Sequence, residues 1–101
     1  MKVKTIKATT PEELARTLGL SDIEAQEWKV QHAMLKKLRQ AIKSQPITHA
    51  EIARKAGSSR TRVTAILNGN LDNVSSDLLI RLLGAVGYAV RVSFTRVDSA
   101  A

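Results

Sequence analysis

Arg60, Thr61, Thr64, Ala65 and Asn68 recur at helical spacing and share one face, and they are the residues of this sequence best suited to do chemistry. None of them is a nucleophile set beside a base. They offer a guanidinium fork, two hydroxyls, an amide and a methyl group, which are tools for binding rather than for bond breaking. A DNA major groove accepts a helix with such a face. Arg62 lies at the edge of the same helix and suits a phosphate by its charge. Ser59 puts a hydroxyl and backbone N–H groups at the helix N-terminus, where anions bind. The sequence shows no paired His/Asp/Glu arrangement, nucleophile motif, glycine-rich phosphate loop or metal-ligand spacing. It has no Cys, and its two histidines are His32 and His49. We therefore expect no catalytic residues, no metal and no cofactor.

The charge agrees with a binding role. The 101 residues carry 16 Lys+Arg against 9 Asp+Glu, a net +7. Residues 31–71 hold Lys36, Lys37, Arg39, Lys43, Arg54, Lys55, Arg60 and Arg62 against Glu51 alone. A small basic domain points to a polyanion partner, nucleic acid before membrane. No apolar run is long enough to span a bilayer, and the start of the chain has charges but no apolar stretch of a signal peptide. The expectation is a cytoplasmic protein. With only Trp28, Tyr88 and Phe94 as aromatics, the core must be aliphatic, and two of these three are expected to be buried.

The elements that position the polar face are legible from helix punctuation. Thr10-Pro11-Glu12-Glu13, Ser21-Asp22-Ile23-Glu24 and Thr48-His49-Ala50-Glu51 each read as a capping box. They predict helices over about 11–18, 21–44 and 49–57, the second ending before Pro46. Ser59 and Ser75 cap two more, ending at Gly69 and near Gly87. Gly57 supplies positive φ in a tight turn between two short helices, a helix-turn-helix pattern. Ala53 is small where those helices cross, and Ile52, Ala56, Val63 and Ile66 form their apolar seam. Trp28, Leu35, Leu38 and Ile42 give the long helix its inner face, and Leu78, Leu79, Leu82, Leu83 and Val86 do so for the last. Residues 88–96 alternate Val90, Val92 and Phe94 with Arg91, Ser93 and Thr95, a half-buried strand. Residues 2–7 are a weaker strand. The C-terminal strand needs a partner: residues 2–7, its own copy in a second subunit, or another protein.

The stretch from Thr48 to Gly69 resembles the repressor-like helix-turn-helix family of phage repressors and XRE-type regulators. That family's pattern is Thr/Ser-Gln, a small Ala, a Gly, then a recognition helix ending in Asn-Gly, here Ala53, Gly57 and Asn68-Gly69. Leu78 to Tyr88 resembles its leucine-rich last helix, so the likeness covers about residues 24–88. His49 stands where the family has Gln, and Ser58 stands at a position that is often apolar. The resemblance implies a mainly α fold: a repressor-like bundle of about five helices with short N- and C-terminal β-strands. The organisation expected is residues 1–20 as an N-terminal strand and short helix, 21–87 as the helix-turn-helix domain, and 88–101 as a C-terminal strand and tail.

By position, the resemblance gives base contacts to Arg60, Thr61, Thr64 and Ala65, with Arg60 bidentate to guanine and Ala65 against a thymine methyl. It gives phosphate contacts to His49 and Asn68, beside Ser59 and Arg62. It implies a DNA-binding repressor acting as a homodimer on a palindrome. The layout also resembles the HigA-like antitoxins, which repress their own operon and bind a toxin protein; a plain transcriptional regulator fits the same residues. The alternative is an RNA-binding or protein-interaction module. Buried aromatics argue against RNA, whose readers display theirs for stacking.

Overall fold

The computed structural model describes residues 21–96, which fold into four helices. They are α1 (Asp22–Lys43), α2 (His49–Ala56), α3 (Arg60–Leu67) and α4 (Ser76–Ala85). The predicted strand over 2–7 and helix over 11–18 lie outside the described residues.

Local chemistry explains where each helix starts. Ser21 Oγ accepts from the Glu24 backbone N–H at 3.1 Å, and the Glu24 carboxylate accepts from the Ser21 N–H at 3.0 Å. Thr48 and Glu51 repeat this reciprocal box at α2. Ser59 and Ser75 cap α3 and α4 through their hydroxyls. Each such cap is worth on the order of 1 kcal/mol. The last three helices end alike. At α2, Gly57 turns left-handed at φ 72°, and the Ser58 N–H reaches back to the Ala53 carbonyl at 2.8 Å. At α3, Gly69 at φ 100° lets the Asn70 N–H reach Ala65, and at α4 the Tyr88 N–H closes on Leu83.

The core is aliphatic, as the composition requires. Leu38, Ile52, Val63, Ile66, Leu79 and Leu82 are the largest fully buried side chains. Ala53 and Ala56 are buried where α2 packs against α3 and α4, so the small residues sit at a close crossing. Burying each leucine or isoleucine contributes about 1.5–3 kcal/mol. No polar or charged side chain is buried among the described residues.

Long polar side chains brace this bundle by binding main-chain carbonyls of other elements. Gln31 Nε2 donates to Val74, Gln45 Nε2 to Val86, Arg81 Nε to Ala56 and Arg39 Nε to Leu67, at 2.8–3.2 Å. Ala56, Leu67 and Val86 stand at helix C-terminal ends, whose carbonyls the helices leave open, and Val74 lies in the loop before α4.

One expected element is not seen, and one expectation of burial is corrected. No strand is present over 88–96 among the described residues, where the segment has no ladder partner, and it follows α4 as an irregular arm. Val92 and Phe94 are 69% and 93% exposed instead of half-buried. None of the aromatics is buried either. Trp28 stacks on His32 with ring centroids 3.7 Å apart, and Lys37 Nζ lies 4.9 Å above the Tyr88 ring. The leucines of α1 and α4 fill the core without them.

Candidate nucleic-acid interface

The outward face of α3 is set by the seam behind it. Val63 and Ile66 are buried, which turns Arg60, Thr61 and Asn68 to solvent and leaves Thr64 and Ala65 partly exposed. These five residues line one open groove of about 430 Å³, so the structure brings together all four expected base-contact residues with Asn68. Thr61 and Ala65 form a ridge, because they also line a second groove with Ser59, Arg62, Asn70 and Asp72.

His49 joins the first group. Its Nδ1 lies 2.8 Å from Thr64 Oγ1, tying the start of α2 to the middle of α3. With Nδ1 engaged, Nε2 is the ring nitrogen left to meet a phosphate. In the neutral ring that requires the proton on Nε2 and donation from the Thr64 hydroxyl to Nδ1. Thr64 is thus a link between helices as well as a groove residue, which the resemblance does not imply.

Ser59 and Arg62 stand on the other flank. Ser59 Oγ accepts from the Arg62 N–H at 3.1 Å, and the hydroxyl proton is still available to an anion. The Arg62 guanidinium reaches the Asn73 carbonyl through Nη2 at 2.6 Å. Asn73 is left-handed at φ 58°, so Arg62 secures the strained turn between α3 and α4. Glu51, one turn into α2, has its carboxyl held below the usual glutamate range. The main cause is the hydrogen bond from the Thr48 backbone N–H, and Lys55 and Arg54 add to it.

Arg39 is the residue that sequence reasoning passed over. It sits on α1, and its Nε donates to the Leu67 carbonyl at the C-terminal end of α3. Its position three after Lys36 and four before Lys43 was the available signal, since these share one stripe of the helix.

A two-helix unit with a left-handed glycine turn and a polar, rigidly seated second helix is a helix-turn-helix. The chain matches the family model described as a helix-turn-helix domain over residues 13–95, and it belongs to that family of DNA-binding domains. Comparisons with curated proteins and with solved structures gave no match. Among the described residues no helix is long and apolar enough to cross a membrane.

Proposed function

We propose that the protein is a cytoplasmic, sequence-specific regulator that binds double-stranded DNA through α3, as a homodimeric repressor on a palindromic operator, without catalysis. One observation carries this reading: Arg60, Thr61, Thr64, Ala65 and Asn68 line a single groove that contains no acidic side chain. Selection of duplexes from a random pool tests it. Selected sites should share a short two-fold motif, with half-sites about 34 Å apart. Arg60→Ala should weaken binding to them by about 1–3 kcal/mol and relax one base pair. Recovery of no preferred duplex overturns the reading.

The arm over residues 88–96 is the surface proposed to hold the second subunit. Paired antiparallel about a two-fold axis through Val92, Val90 faces Phe94 of the partner subunit and Tyr88 faces Arg96 of the partner subunit. No like charges then oppose each other, and the Val90–Phe94 pair, β-branched against aromatic, adds roughly 0.2–1 kcal/mol. Val92→Asp sets two carboxylates together on the axis, so the variant should sediment as a monomer where the native protein is a dimer. The likeness to HigA-like antitoxins supports a further proposal, autorepression together with a toxin partner. Co-expression with the product of the adjacent gene, followed by co-purification, tests that.

The RNA-binding or protein-interaction alternative gains one observation, the exposure of Phe94 and Val92. Single-stranded RNA run beside the duplex pool decides between them.

A further inference from the structure

We propose that Arg39 is a backbone-phosphate clamp at the C-terminal end of α3, a contact outside the helix-turn-helix unit itself. The inference rests on the DNA-binding reading and names a residue that α1 contributes to it. Arg39 is exposed, yet its guanidinium has a fixed seat. Nε donates to the Leu67 carbonyl at 3.0 Å, and a Cβ on Gly69 would come within 3.5 Å of Nη2. Leu67 and Gly69 flank Asn68, which lines the reading groove. The guanidinium therefore stands beside the C-terminal end of α3, next to the groove residue Asn68 in sequence. One of its five N–H groups is used on Leu67, and the fork is left for an oxygen anion.

Three features favour a phosphodiester there. A guanidinium already held in place loses little side-chain freedom when it takes a phosphate. Lys36 and Lys43, one turn away on either side along α1, are exposed and extend the positive stripe. The opposite end of α3 carries Arg60, at the start of a helix about 12 Å long. A duplex seated on α3 would meet a cation at both ends of the helix. Arg39 also suits the negative end of the α3 dipole, and a purely structural cap would use that property alone. The two roles differ in how binding responds to salt.

The test is the slope of log K against log salt for the full chain, on a selected duplex and on a random one. A true phosphate contact contributes about −0.9 to that slope. Arg39→Met keeps the stem and removes the charge. Its slope should be shallower by about 0.9 on both duplexes, so from about 50 to about 200 mM salt it loses roughly 3.5-fold less affinity than the native protein. Base preference should not change, and Arg39→Lys should restore the slope. Reduced stability with an unchanged slope makes Arg39 a cap only and overturns the proposal. If Arg39→Met does not fold, the side-chain Nε–H resonance of Arg39 in native protein decides. It should shift when random duplex is added at low salt and return at high salt; an unmoved resonance overturns the clamp. A native protein that binds no duplex overturns the DNA-binding reading and this proposal with it. Native binding with an unchanged Met-variant slope overturns this proposal alone.

Discussion

The His49–Thr64 contact should be measurable as a coupling energy. It is a 2.8 Å hydrogen bond between partly buried side chains fifteen residues apart. A neutral bond of this kind contributes a net 0.5–1.5 kcal/mol, more than an exposed pair because losing one partner strands the other away from full hydration. His49→Ala leaves the Thr64 hydroxyl without its partner, and Thr64→Val leaves the ring without its own. The double variant loses the bond only once. The cycle should therefore close with a coupling of about 1 kcal/mol, roughly fivefold in the folding equilibrium. Urea unfolding followed by emission from Trp28, the sole tryptophan, gives the four stabilities. The same four proteins titrated with a selected duplex give the coupling in binding, which should have the same sign because the bond orients a groove residue. A stability coupling below about 0.3 kcal/mol, the level at which independent sites already add, would refute the bond. Coupling in stability but none in binding would refute the claim that it prepares the reading face.

Arg62→Gln separates two roles. If the bond to Asn73 is its main task, the variant should lose about 0.5–1.5 kcal/mol of stability and keep the native salt slope; a slope shallower by about 0.9 in DNA titrations would make it a phosphate contact instead. Leu79→Ala, at a fully buried position where α4 meets α1 and α2, should cost about 2–5 kcal/mol in urea unfolding, and a loss under 1 kcal/mol would contradict the packing. Glu51 and Glu24 both have carboxyls held below the ordinary glutamate value, chiefly by the backbone N–H groups of Thr48 and Ser21. A lowered folded-state pKa contributes stability that is present above the unfolded value and lost as pH falls through the folded one. The native protein should therefore weaken on acidification through and below the glutamate range, and Glu51→Gln should flatten that decline. Identical pH profiles would count against the capping box.

What could be read in advance was local. The boxes at Ser21/Glu24 and Thr48/Glu51 work within four residues, so the sequence contains both partners and the spacing between them. The seam of Ile52, Ala56, Val63 and Ile66 follows from helical period in the same way. The contacts of Arg39 and Arg62 left no such trace. Their acceptors are main-chain carbonyls 28 and 11 residues away, and any residue type supplies a carbonyl. The arm over 88–96 shows a different limit. Alternation reports the period a strand would need, but a strand exists only where another strand pairs with it. Trp28 was misplaced because period gives a helix face but not how far the core extends along it: the buried stretch of α1 begins only at Met34, and Phe94 has no partner strand to cover it.

The carbonyl braces bear on how readily such a domain acquires a new target. Arg39 grips α3 through the Leu67 oxygen, and Arg81 grips the preceding helix through the Ala56 oxygen. Neither grip depends on which side chains α3 displays. Arg60, Thr61, Ala65 and Asn68 are therefore open to wholesale exchange, since their replacement leaves the scaffold's attachments in place. Thr64 is the exception on that face, because its hydroxyl belongs to His49 as well. Retargeting libraries built on this chain should randomise the other four freely and vary positions 49 and 64 only as a pair.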